Sequence, residues 1–177
     1  MKKFVVSVIL LLIGMYVYTL QHEKKDTELK LESMAGHNLF LLLTTYDEIE
    51  KVLNSDKLNT ESINDIEEKL VKIKEYSTII DSIVSNDSLK LITNNWQVVF
   101  FKLEKNYSST GSSEYKNKEL NEIKNMIDEL ESIIYETYYV KDNVEGGKAE
   151  LNINDFTKIE AYQKKMDEFS EQIINMH

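Results

Sequence analysis

Cysteine, proline and arginine are all absent from the 177 residues, and glycine occurs only five times. Without cysteine there is no disulfide, no thiolate-ligated zinc and no thiol nucleophile. The same absence removes the acylated cysteine by which bacterial lipoproteins are held at an envelope. Without proline there is no LPxTG-type sorting signal. Helix interiors also run free of the residue that most often breaks them. Val and Thr are outnumbered by Ile, Leu, Lys, Glu and Asn, which argues against a sandwich or barrel. These absences predict an all-α protein.

Charge excludes further classes. Lys+Arg total 21 against 31 Asp+Glu, a formal net charge of −10. Setting aside residues 1–25 leaves 17 Lys against 30 acids, or −13. So acidic a body repels nucleic acid, and it has no guanidinium fork to read phosphate or guanine. It is repelled by anionic lipid headgroups too, so attachment to a bilayer would have to come from an apolar segment.

One such segment opens the chain. Lys2 and Lys3 precede an uncharged run from Phe4 to Leu20, and His22, Glu23, Lys24 and Lys25 follow it. As a helix the run is about 25 Å long, close to the lower limit for a hydrocarbon core of about 30 Å. A signal peptidase needs small residues at −3 and −1, and the best pair available, Val17 and Thr19, is poor. Tyr16 and Tyr18 instead suit an aromatic belt at a membrane interface. The segment 1–25 is therefore expected to be an uncleaved signal-anchor, a single membrane span held by Phe4, Leu10, Leu11, Leu12, Tyr16 and Tyr18. Its alternative is a cleaved signal peptide and a secreted body. A short anchor before a long body predicts a C-terminal domain on the extracytoplasmic side of a cell membrane.

Residues 26–177 carry apolar positions at alternating spacings of three and four, the helical period. The first seam runs Leu39, Leu42, Tyr46, Ile49, Leu53 in a helix from about residue 26 to 53. A second helix, with Thr60 as its cap, carries Ile63, Ile66, Leu70, Ile73, Ile80 and Val84. Ser85-Asn86-Asp87 is expected as the break and the cap before a third helix with Leu89, Ile92, Trp96, Val99 and Leu103. Ser108–Ser113 and Asp142–Gly147 read as loops around a fourth helix that ends near Tyr138. Asn154 or Asp155 caps a last helix with Phe156, Ile159, Tyr162, Met166, Phe169 and Ile173. Short links between long helices make antiparallel neighbours. The expected architecture is an N-terminal single membrane-spanning helix followed by an antiparallel four- or five-helix bundle.

Candidate sites are few. Leu39-Phe40-Leu41-Leu42-Leu43 is apolar right round the helix, which fits either a face for a partner or a central helix with several neighbours. Phe101, Tyr135 and Tyr139 fall off or beside the main seams. Leu39, Phe40, Leu41, Leu43, Phe101, Tyr135 and Tyr139 are thus the candidate partner interface. His22, His37 and His177 lack HExxH or ExxH spacing, so no metal or cofactor is expected. Gly36-His37 marks a possible local kink. Asp47-Glu48, Glu67-Glu68 and Asp128-Glu129 read as solvated faces. No P-loop, GxGxxG or GxSxG occurs, so no enzyme is expected. In layout alone the chain resembles the outer sensory bundles of bacterial receptors, which carry in addition a second span and a cytoplasmic output domain. The residues support a non-enzymatic, membrane-anchored adaptor or accessory envelope protein, contacting a protein partner or a second copy at the outer face of a Gram-positive-type membrane. The alternative is a sensor or carrier that holds a small apolar or peptide ligand in the bundle core.

Overall fold

The computed structural model describes residues 2–55, 60–110, 114–140, 151 and 155–175. Of these, side-chain surroundings are described for 12–55, 61–105, 120–140, 151 and 155–175. Five helices account for nearly all of it: α1 Lys2–Leu53, α2 Thr60–Val84, α3 Ser88–Thr110, α4 Glu114–Tyr138 and α5 Thr157–Asn175. The all-α expectation holds. The helix expected from residue 26 is the C-terminal part of α1, which runs unbroken through Gly36 and His37. Ser108 to Thr110, expected as loop, complete the last turn of α3, while 111–113 lie outside the described residues. So does the expected loop 142–147. Tyr139 and Leu151 form an isolated antiparallel bridge.

The chain divides into two compact units, Met1–Met34 and Ala35–His177. The second begins where the apolar seam begins. Residues 26–34 alternate charged residues with exposed Leu29, Leu31 and Met34, and offer no buried stripe. Ala35 is the first core residue, and Leu39, Leu42, Tyr46, Ile49 and Leu53 follow it at helical spacing. The seams of α2 to α5 are buried with them in one cluster. Trp96 is fully buried between Phe100 and Phe169, with ring centroids 6.1 and 6.3 Å away.

Side-chain pairs give the directions of the helices. Lys74 meets Gln97, Ser77 meets Thr93 and Asp81 meets Lys90, so α2 and α3 are antiparallel. Lys158 meets Glu136 and Lys165 meets Glu129, so α4 and α5 are antiparallel as well. Asn86 meets Glu160, Asn95 meets Asp167 and Lys102 reaches the Ile174 carbonyl, so α3 and α5 are parallel neighbours. That parallel pair follows from up-down alternation, because helices two steps apart in the chain point the same way.

Two helix junctions are built in detail. Ser85 takes a left-handed φ of 56°, and the Asn86 N–H donates to the Asp81 carbonyl at 3.1 Å, which closes α2 as a Schellman motif. The Asp81 carboxylate then accepts from the Lys90 N–H at 2.8 Å, while Asn86 Oδ1 accepts from the Ser88 N–H at 2.9 Å. At α5, Asp155 Oδ1 accepts from the Thr157 N–H and hydroxyl, the capping expected of this residue. Those bonds hold the Asp155 carboxyl below its ordinary range.

No helix among the described residues is long and apolar enough to cross a membrane. The expected span, Phe4 to Leu20, begins among residues 1–11, whose side chains are outside the described set. Phe4, Leu10 and Leu11 therefore have no surroundings to report.

Candidate protein-interaction surface

The expected interface residues separate into core and surface. Leu39 is fully buried and Leu43 is 7% exposed. Both are corrected from interface to core: on a helix packed against several others they face inward, toward the bundle's own apolar cluster. Leu41 and Tyr139 are half-buried. Phe40, Phe101 and Tyr135 are exposed at 63%, 51% and 55%. The all-round apolar run thus has both meanings, with Leu39, Leu42 and Leu43 in the core and Phe40 on the outside.

Asp47 and Glu50 of α1 act electrostatically on Glu131 of α4. At the other end of the same seam, Gly36 lies beside Leu151, the bridge partner of Tyr139. Between these two fixed points α1 carries Phe40 and α4 carries Tyr135. Tyr135 and Tyr139 stack with centroids 5.4 Å apart, as residues four apart on a helix can. Tyr135 and Tyr139 thus form an aromatic pair on α4, and Phe40 is a separate exposed aromatic on α1.

Phe101 belongs to a different face. With Val71, Val98, Glu67, Asn94 and Gln97 it lines an open groove between α2 and α3. The Lys105 ammonium sits 4.5 Å from the Phe101 ring centroid, a cation–π contact that half-covers it. The structure does not bring Phe101 together with Phe40 and Tyr135.

Burial, then Glu50, Asp47 and Asp128, push the Glu131 carboxyl up to about 7. Its Oε1 is buried without a hydrogen-bond partner. Asp47 is bonded to Lys51 at 2.6 Å, and Glu48 pairs with Lys69 at 3.6 Å. Of the acidic pairs read as solvated faces, Asp47, Glu48 and Glu129 each meet a lysine. Among the described residues no group of three or more His, Asp or Glu is placed to hold a metal.

The sequence reading missed the buried polar residues. Ser77, Asp81, Thr93 and Thr137 lie in the interior. Ser77 fills the gap between Ile73 and Ile80 in the α2 seam, which is the signal that would have found it. Asp81 continues the same row one turn later. Burial pushes its carboxyl up to about 7 against the lowering effect of the Lys90 and Leu89 amides.

In the first unit, Leu12, Ile13, Met15, Tyr16, Val17, Tyr18 and Leu20 are all exposed, at 45–69%. Comparison with protein-family models, with curated proteins and with solved structures found no match.

Proposed function

We propose that this is a membrane-anchored helical-bundle protein that works without catalysis, by presenting exposed aromatics of α1 and α4 to a protein partner on the extracytoplasmic side. The observation that carries the reading is the exposure of Phe40 on α1 and Tyr135 on α4: two large aromatic side chains, both more than half exposed. A bundle that buries Trp96, Tyr46, Tyr138 and Tyr162 completely has no need of them for its own core. Exposed aromatics of this kind are typical anchors of protein interfaces.

The first helix supports the location. From Leu12 to Leu20 its apolar and aromatic residues point outward in all directions with no protein cover. Together with Phe4–Leu11 before them, they form the apolar run that a bilayer would cover. Tyr16 and Tyr18 then belong at the interface, and the acidic bundle follows outside.

Site-specific photocrosslinking in native membranes tests this reading. A photoreactive residue at position 40 or 135 is expected to give a discrete protein adduct, and one at Glu68, exposed on α2, is expected to give none. Equal labelling at all three positions, or recovery of the whole chain in the soluble fraction after alkaline extraction, would overturn it.

A further inference from the structure

We infer that two copies of this chain pair through the groove between α2 and α3, about a two-fold axis along the groove. Phe101 of each copy packs on Val71 of the other, and Lys105 of each lies beside Glu67 of the other. This goes beyond the partner reading above and uses a different face of the bundle.

Val71 of α2 and Val98 and Phe101 of α3 are the apolar members of the groove, and all three are exposed. Glu67 lines it as well. The bonded pairs Lys74–Gln97, Ser77–Thr93 and Asp81–Lys90 fix the register of the two walls. Continued by one turn along both helices, that register sets Val71 level with Phe101 to within a residue. A second turn sets Glu67 level with Lys105. A two-fold along the groove keeps every residue at its own level and exchanges the walls. The residues that stand opposite each other across the groove in one copy are therefore the ones that meet between copies, and each contact is made twice.

The charges identify the occupant. Glu67 has no salt bridge among the described residues, and the lysines around it are engaged elsewhere. Lys69 pairs with Asp65 and Glu48, Lys74 bonds Gln97, and the Lys105 ammonium sits 4.5 Å from the Phe101 ring centroid. Lys105 likewise has no carboxylate partner among the described residues. A partner helix of one sign would satisfy either Glu67 or Lys105 and set a like charge against the other. A second copy brings both. Burial and then Glu104 hold the Glu67 carboxyl above its ordinary range, a shift that a neighbouring ammonium opposes. The exposed Phe101 ring gains apolar cover from Val71 and Val98 of the copy. The wall formed by α3 carries three Lys against one Glu, so the acidic surplus of the chain is not concentrated on this face.

Cysteine crosslinking tests the pairing directly, because the chain has no cysteine of its own. Full-length chains carrying Val71→Cys or Phe101→Cys are co-expressed and oxidised in native membranes. A disulfide joining the two kinds of chain is expected as the main product. Phe40→Cys co-expressed with Tyr135→Cys is expected to give none. Sedimentation of the purified chain in detergent then reads the charges. Glu67→Lys and Lys105→Glu are each expected to raise the dissociation constant of the dimer about tenfold, and the double variant to recover most of that loss. Glu68→Lys makes the same change of charge about 100° further round α2 and is expected to leave the dimer unchanged. Val71–Val71 and Phe101–Phe101 disulfides in place of the mixed one would overturn the axis. A chain that sediments as a monomer at every concentration, crosslinking of Val71→Cys to a different protein, or an equal effect of Glu68→Lys would overturn the second copy.

Discussion

The Ser77 hydroxyl of α2 lies 3.2 Å from the Thr93 hydroxyl of α3, with both residues fully buried in an otherwise apolar layer. Thr93 donates to the Leu89 carbonyl at 2.8 Å, so its oxygen is left to accept. It accepts from Ser77, and it shares a second hydrogen bond with the buried phenol of Tyr46 on α1. Three helices are thereby tied at one point. An apolar seam slides by a turn at modest cost, whereas displaced hydroxyls are left unpaired in the core.

Thr93→Val keeps the shape of the side chain and removes the shared oxygen. Ser77 and Tyr46 then lose their partner, and the expected loss of stability is about 1–3 kcal/mol. Ser77→Ala alone should cost less, because Thr93 keeps its bond to Leu89. Chemical denaturation of the two single variants and the double variant checks the ordering, and their coupling should be clearly non-additive.

Asp81 makes stability depend on pH. Its folded-state carboxyl sits at about 7, above its ordinary value of 3.8, because burial disfavours the charge. The folded protein therefore holds the proton more tightly than the unfolded chain does. The resulting stability is fully present below about pH 4 and is lost as pH rises toward 7. Glu131 acts in the same direction. The bundle should melt several degrees higher at pH 5 than at pH 8. Asp81→Asn keeps an acceptor for the Lys90 N–H and cannot ionise, so it should recover about 2 kcal/mol at pH 8 and flatten the profile. A pH series of thermal melts reads both effects.

Ser85 is the one non-glycine residue with positive φ among the described residues. Ser85→Gly removes the Cβ penalty of the left-handed cap and should stabilise the bundle by about 1 kcal/mol. Ser85→Val should destabilise it by at least as much. Comparison of denaturant midpoints is sufficient.

Gly36 gives a second stabilising site. A Cβ there would meet only the Leu151 side chain, at an ordinary 3.8 Å, and the residue lies inside a continuous helix. Gly36→Ala should add about 0.5–1 kcal/mol by helix propensity. If stability falls instead, the close approach of Leu151 matters more than the propensity gain.

Much of the bundle was legible in the sequence. The missing proline and the three-four spacing of Ile and Leu define the helix count, their seams and most of their ends. Asp155 as a cap was legible too, because an N-cap is a local interaction. The cap on α3 was legible in part: it was expected within Ser85-Asn86-Asp87, and Asn86 Oδ1 accepts from the Ser88 N–H. Its second acceptor was not, because the Asp81 carboxylate comes from the preceding helix, nine positions before the Lys90 amide, and only the α2–α3 hairpin brings them together.

The interface shows the same division. The sequence by itself determined that the chain is helical and acidic, that its first residues form an apolar run, and that Leu39 to Leu43 cannot bury every side of one helix against one neighbour. Tertiary packing alone decided which of those residues were left outside. Leu39 and Leu43 turn into the core and Phe40 does not. Packing likewise leaves Glu131 among like charges. Periodicity specifies which residues share a face of a helix, but the neighbour each face meets depends on long-range packing, and it is that neighbour which makes a residue core or surface.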